Sequence, residues 1–373
     1  MLSPYVRHRL VLEHEVIGAA LRHHAFSTAE KFIQEVFWRS YFKGWLEHRP
    51  RVWADYREDV AKLIRDVETD SQLAERYSKA LSGDTGIECF DAWVSELLST
   101  GYLHNHARMW FASIWVFTLD LPWQLGADLF YRHLVDGDPA SNTLSWRWVC
   151  GLHTQGKTYL ARASNIAKFT DDRFNPEGQL ATDAPSLVEP TVYSVQPLRD
   201  AQALPPGESF GLLVTEEDGY PESLLGGQAP TAILGAVAPG ARSPLPIGGK
   251  AEDFVLGAVR DAVERAGSFF GVDGEILVSE DWQSEVVAWA TRHRLKTIAT
   301  AYAPVGPTAE LLEKVRDELN RHGITLLQIR RPYDETVWPH AQRGFFKLKQ
   351  QIPAMLERMG AENGAVRVAT TAG

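Results

Sequence analysis

The sequence predicts two folds in series: an all-helical domain, then an α/β domain built on a parallel sheet of about five strands. Three observations carry this reading. From residue 5 to about residue 160, apolar residues recur at helical spacing. A segment punctuated by Pro185, Pro190, Pro197, Pro205 and Pro206 follows, with little helical period. Beyond it, short apolar runs alternate with helical stretches, as parallel strands joined by helical crossovers require.

Residues 6–21 are periodic and read as a first helix. Ser27, with Glu30 three residues on, has the form of a capping box and opens a second helix, which runs through Phe37, Phe42 and Trp45 to Pro50. Residues 91–98 read as a further helix, Gly101 interrupts, and 104–117 resumes. Pro122 starts another helix and Gly137 breaks it. Strands are expected at 210–215, 231–237, 275–279, 297–301 and 324–329, with helices at 252–266, 282–293 and 308–322 between them. A last helix covers 355–359, and 362–373 reads as frayed. The expected domains are therefore a helical domain at 1–182, a Pro-rich linker at 183–208, a Rossmann-like α/β domain at 209–339, and a C-terminal helix and tail at 340–373. No glycine-rich phosphate fingerprint is present, so the α/β domain names no ligand.

Composition narrows the class. The net charge of −10 argues against a generic nucleic-acid coat, so any nucleic-acid contact must rest on a local patch. Cys89 and Cys150 cannot build a disulfide framework and lack metal-ligand spacing. No apolar run reaches the length of about 18 residues that a membrane span needs. No apolar signal segment is read at the amino terminus, and the cytoplasm is the expected compartment. Of 12 tryptophans, nine precede residue 150: Trp38, Trp45, Trp53, Trp93, Trp110, Trp115, Trp123, Trp146 and Trp148. Such a density serves either a large aromatic core or a stacking and electron-hopping system.

Three groups of residues carry candidate chemistry. Glu35, Trp38 and Arg39 share one helix face at i, i+3 and i+4, as a surface ion pair or as part of a polar-lined pocket. Tyr102, Asn105, Arg108 and Met109 repeat the geometry with an amide, a guanidinium and a thioether. Asp136 and Asp138 flank Gly137 after a helix end. This pair suits acceptance from a ring N–H, a ribose hydroxyl or Arg108, and no third ligand is spaced to make it a metal site.

In this order the motifs resemble the FAD-binding core of photolyases and cryptochromes. The segment STGYLHNHARMWFASIWVFTLDLPWQLGADLFYRHLVDGDPASNTLSWRW resembles the family's S-T-G-x-x-H-N-x-x-R-M, D-G-D-x-A-x-N and W-x-W series. EVFWRSYF resembles its E-x-x-W-R-x-F-Y, LSPYVRH its phosphate-side loop L-S-P-Y-L-R, and residues 159–175 its closing segment. The resemblance covers residues 2–178.

It implies a role for each matching residue. Ser3 lies near the FAD pyrophosphate, and Arg39 contacts the cofactor. Arg108 and Asp136 pair beside the isoalloxazine, with Asn105 on the same cofactor-lining face. Asp138 contacts the bent cofactor. Asn142 faces flavin N5, where an amide stabilises reduced flavin. Trp146 and Trp123 are the inner and middle members of a tryptophan relay, with Trp53 and then Trp93 as outer candidates. Glu35, Trp38, Asn105, Met109 and Trp148 match positions that hold a flipped cyclobutane pyrimidine dimer. The implied function is blue-light-driven electron transfer repairing such dimers in damaged DNA. The alternative is a cryptochrome-like photoreceptor that binds FAD and an unknown signalling partner. A second, antenna chromophore of unknown identity is possible in such a protein.

The order departs from the family's, which places an α/β antenna domain first. Here residues 210–350 resemble that domain faintly, and YDETVWPHAQRGFFKLKQQIPAML resembles the stretch after its sheet, so the arrangement reads as circularly permuted. The phosphate loop is entered at Leu2, without the family's upstream hydroxyl donors. Each such donor is worth about 1.5–3 kcal/mol, so looser FAD binding, or donors from elsewhere in the chain, is expected.

Overall fold

The structure, a computed structural model, describes the chain over residues 1–363, with side chains to residue 360. Of the expected frayed tail at 362–373, residues 364–373 lie outside the described residues.

The helical part comprises α1 (Ser3–Arg7), α2 (Glu13–His23), α3 (Phe26–Glu47), α4 (Arg51–Thr69), α5 (Ser71–Ser82), α6 (Glu88–Thr100), α7 (Asn105–Ser113), α8 (Trp123–His133), α9 (Pro139–Val149) and α10 (Ala163–Phe169). A π-helical turn, Ile114–Thr118, extends α7. No regular element occurs between α10 and β1 (Gly211–Val214), a stretch that contains the proline-punctuated segment. Next come β2 (Ala232–Val237), α11 (Gly249–Phe270), β3 (Gly274–Val278), α12 (Trp282–Arg292), β4 (Thr297–Ala301), α13 (Pro307–Arg321), β5 (Thr325–Ile329), α14 (Pro332–Val337), α15 (Phe345–Lys349) and α16 (Ile352–Asn363). All five strands stand where the sequence places them.

Two local expectations are corrected. The helix expected over 6–21 is broken into α1 and α2. Arg9 has a φ of 50° and Leu12 is extended, with its N–H held by the Glu15 carboxylate at 2.9 Å. Side-chain bonding accounts for the break. Both guanidinium Nη atoms of Arg7 donate to Glu217 at 2.7 and 2.8 Å, and Arg9 donates to Asp334 at 2.6 Å. Continuing the helix would turn one of these buried cations away from its carboxylate, at a cost of several kcal/mol. Ser27 does not cap α3 either: the helix starts a residue earlier, at Phe26, after an extended Ala25, with no side-chain cap.

The described chain divides into two compact units. One holds residues 1–50, 194–241 and 255 onward; the other holds 51–193 and 242–254. This spatial division and the sequence-order division at 182, 208 and 339 are different partitions of the chain.

In the first unit the strands form one parallel sheet in the order β3-β2-β1-β4-β5. Its two faces are read from alternation. Leu213, Leu234 and Ile298 pack with Val286 and Trp289 of α12 and Leu312 and Val315 of α13. Their neighbours Leu212, Ile233 and Ala299 pack with Val255, Val259 and Val263 of α11. The central strands β1, β2 and β4 are buried along their length, as cover on both faces requires, while the edge strand β3 is largely exposed. Gly235 permits the close approach, since a Cβ there would stand 2.6 Å from Val263 and 2.8 Å from Val259. In the same unit, α3 meets the turn after α14 at Gly44, where a Cβ would lie 2.9 Å from Trp338.

The second unit is an aromatic helical core. Phe90 and Phe111 stack at 4.3 Å, and Trp115 and Trp146 meet edge to face at 6.2 Å. Among the described residues no helix is long and apolar enough to cross a membrane, and no cluster of three or more His, Cys, Asp or Glu could hold a metal.

Candidate functional site

In the second unit the candidate site is built on the ends of α6, α7 and α9 and the turn that joins α8 to α9. Gly101 closes α6 with φ +69°, a conformation that suits glycine. Its carbonyl accepts the Val135 N–H at 2.9 Å, pinning the entry to α7 against the turn after α8. Arg108, one turn into α7, is thereby held on three sides. Its Nε donates to the Leu103 carbonyl at 2.8 Å. One Nη donates to both oxygens of Asp136 at 3.0 Å each. The Tyr102 ring lies 5.2 Å from the guanidinium carbon. Asp136 is nearly fully buried and Arg108 about a quarter exposed, so the pair presents a fixed charged edge at the surface of this unit.

Gly137 makes the turn possible by closeness rather than by φ. A Cβ there would lie 3.0 Å from the Leu134 carbonyl oxygen and 3.1 Å from that of Tyr131. Asp138 then caps α9, its carboxylate accepting the Ser141 N–H at 2.7 Å, with Pro139 as the first helical residue. Asn142 ties α9 to α8 by donating its amide to the Ala127 carbonyl at 2.8 Å. On either side of it, the hydroxyls of Ser141 and Thr143 are buried without a hydrogen-bond partner among the described residues. Such groups cost stability unless something accepts from or donates to them. Sequence reasoning missed both, although their only signal was being hydroxyls beside Asn142.

The tryptophans fall into separate aromatic groups. Trp146 is buried edge-on to Phe130 at 5.2 Å, Trp115 at 6.2 Å and Phe111 at 6.4 Å. Trp123 stacks on Tyr56 at 5.7 Å, and Tyr56 meets Trp53 at 5.3 Å. Trp146 and Trp123 are not in ring contact. The link between their groups is Trp115, whose N–H donates to the carbonyl of Pro122, next to Trp123, at 2.9 Å. Tyr56, which the sequence did not single out, is what joins Trp53 to Trp123. Trp93 belongs to another stack, face to face with Trp110 at 5.6 Å. Trp148 is half-buried on Tyr159 at 5.7 Å. Asn105 is exposed as the first residue of α7, and Met109 is half-buried one turn on.

The first unit holds the remaining candidates. Ser3 is the half-buried first residue of α1. On α3, Glu35 is exposed and forms no ion pair with Arg39, so the simple surface pair permitted by their spacing is absent. Trp38 is exposed, with its ring against Phe345 at 3.9 Å and edge-on to Phe42 at 6.0 Å. Arg39 is half-buried, and its Nη1 is buried with no hydrogen-bond partner among the described residues.

Residues 32–188 match the family model described as the FAD binding domain of DNA photolyase. A deoxyribodipyrimidine photo-lyase of Streptomyces griseus is 32% identical over 190 residues, 48% of this chain and 40% of that protein. One from Alkalihalophilus pseudofirmus is 30% identical over 48% of this chain and 36% of its own length. A cryptochrome DASH of Idiomarina loihiensis is 32% identical over 39% of this chain and 31% of its own. The matched stretch thus spans well under half the length of these relatives. No solved structure matches the chain.

Proposed function

We propose, from the premise that residues 32–188 belong to the photolyase/cryptochrome family, that this chain binds FAD and uses blue light to repair cyclobutane pyrimidine dimers in DNA. The observation that carries the reading is the Arg108–Asp136 pair: a doubly bonded, oriented charge pair on the α7 segment that also presents Asn105 and Met109. Structural charge pairs of this burial are costly to build, and a polar ring system is what such an edge suits.

The donor set supports FAD. Diphosphate needs cationic donors, and Arg39 has a buried nitrogen without a partner among the described residues. A flavin ring needs donors and acceptors at its polar edge. Arg108, Asp136 and Asn142, with the unpartnered hydroxyls of Ser141 and Thr143, are the residues that would serve it. When bound and reduced, FAD supplies the light-driven electron. The chain's own residues hold and shield. Arg108 and Asp136 fix charge at the ring edge, Asn142 orients its amide from α9, and the indoles of Trp146, Trp115 and Trp123 line routes through apolar surroundings. In the second unit, Asn105 and Met109 would bind the flipped lesion, and Trp148 would stack on it.

The test has two readouts. The purified protein should show a flavin absorption spectrum that bleaches under blue light with a reductant. Irradiated oligonucleotide should then lose its dimers under the same light. Bleaching with unchanged lesion content selects the photoreceptor reading. A colourless protein that cannot be reconstituted with FAD rejects both. The indole route has its own check: Trp146→Phe should slow photoreduction, and an unchanged rate removes Trp146 from it.

A further inference from the structure

The second unit carries an aromatic stack separate from the Trp146 and Trp123 groups, and it ends at the surface. Trp93 lies against Trp110 at 5.6 Å and 23°. Trp110 lies against His106 at 5.3 Å and 6°, close to parallel. His106 meets Phe169 at 5.1 Å and 38°. The base of the stack is fixed: Trp93 and Trp110 are buried, and the Trp110 N–H donates to Asn165 at 3.0 Å, tying α7 to α10. Its top is open, with Phe169 54% exposed. A large aromatic ring held rigidly with its face to water forgoes burial worth about 1.5–3 kcal/mol, so a binding partner is the natural cover.

The surroundings select the partner's charge. Lys168 sits with its ammonium 5.5 Å from the Phe169 ring centre. Lys157, Arg162, Lys168 and Arg173 are all exposed, and the segment 152–174 that carries them holds only two acidic residues, Asp171 and Asp172. The chain as a whole carries −10, so this basic segment runs against the rest of the surface. An exposed ring beside a cation fits a polyanion whose bases have free faces, which describes a single strand. A duplex hides those faces.

We propose that Phe169, backed by His106, with Lys168 as a phosphate contact, forms a stacking platform for an unpaired base of single-stranded DNA. The identity of the strand rests on the DNA-directed reading above. The position agrees with it: His106 follows Asn105 on α7, about 100° around the helix, so the platform borders the face assigned to the lesion.

The test uses the full chain in the dark with undamaged, fluorescein-labelled oligothymidylate, so neither FAD nor repair enters the readout. Anisotropy titration should show Phe169→Ala weakening binding about tenfold, with Phe169→Trp close to native. Lys168→Ala should reduce the salt dependence of log K by about 0.7. Far-UV dichroism of each exposed-site variant checks that it is folded. Equal affinity of Phe169→Ala and native protein, an unaltered salt slope for Lys168→Ala, or no binding at low salt overturns the platform. Protein that binds the oligonucleotide but repairs no dimer keeps this inference and loses the repair reading. Protein that repairs dimers with Phe169→Ala binding unchanged does the reverse.

Discussion

Gly126 shows how tightly a single position constrains the tryptophan at the heart of the helical unit. A Cβ there would stand 2.3 Å from Cη2 of Trp146 and 2.9 Å from Trp115. Alanine ordinarily improves a helix by about 1 kcal/mol over glycine. Here the buried rings must move, and overpacking of this kind costs about 1–3 kcal/mol. Gly126→Ala should therefore lower the urea midpoint and disturb the near-ultraviolet dichroism of the indoles; an unchanged midpoint would mean the rings are free to shift. His133 gives a pH signature. Burial, with Arg132 adding repulsion, lowers its pKa from the ordinary 6.5 to about 4. The folded state therefore binds the proton less readily than the unfolded one. His133's contribution is complete above pH 6.5, declines as pH falls through the window from 6.5 to 4, and is gone below it. His133→Gln should flatten stability in that window relative to native protein, measured by denaturant titration at several pH values. Cys89 and Cys150 are buried free thiols whose pKa values are pushed up by burial, to about 11 and about 12. Little thiolate exists at neutral pH. Both should resist alkylation in folded protein and label on unfolding; rapid labelling of the native state would contradict that burial.

Among the helices, α9 shows how one side chain can have a structural duty as well as a proposed one. Asp138 is its N-cap through Ser141. Asp138→Ala should cost about 1 kcal/mol of stability from the cap alone, and Asp138→Asn or Asp138→Ser should recover most of it. A role toward the cofactor predicts a different pattern: all three variants would bind FAD less well, including those that restore the cap. Measuring thermal stability of the apoprotein beside flavin affinity separates the two. Helix α3 is instructive in another way. It brings Trp38 onto Phe345 and Gly44 against Trp338, so Trp38 contributes to packing within its own unit. Trp38→Ala is expected to destabilise that unit.

Across the whole molecule, charge and organisation set the terms. With a net charge of −10, a DNA strand is repelled by most of the surface, and binding must come from a few local contacts. Affinity should consequently fall with salt along a shallow slope, about −0.7 for each phosphate contact. A slope near −10, of the kind set by many contacts, would mean that a larger basic surface exists than the sequence suggests. Burial of charge within the sheet-containing unit follows a different logic. Arg7, Arg9 and Arg331 are paired there with Glu217, Glu13, Asp334 and Asp218. The charges are shared: Arg9 pairs with Glu13, Asp218 and Asp334, and Asp218 also with Arg331, so losing one partner unbalances a buried network, which is destabilising.

Periodicity and punctuation are local properties, and they were readable from the residues alone. Alternating apolar runs located all five strands of a sheet covered on both faces, and the S-T-G to W-x-W series marked α7 to α9 as the place to look for chemistry. Partner choice between distant residues is not local. Arg108 finds Asp136 28 positions away, Arg9 finds Asp334 325 positions away, and the second of these encounters breaks a helix that its own periodicity favours. The capping duty of Asp138, the relay of Tyr56 between two indoles, and the open face of Phe169 likewise depend on which surfaces meet. Helical and strand tendencies are worth tenths of a kcal/mol per residue, whereas leaving a buried charge unpaired costs about 3–5 kcal/mol and burying a large apolar side chain gains about 1.5–3 kcal/mol. Where the two conflict, packing decides.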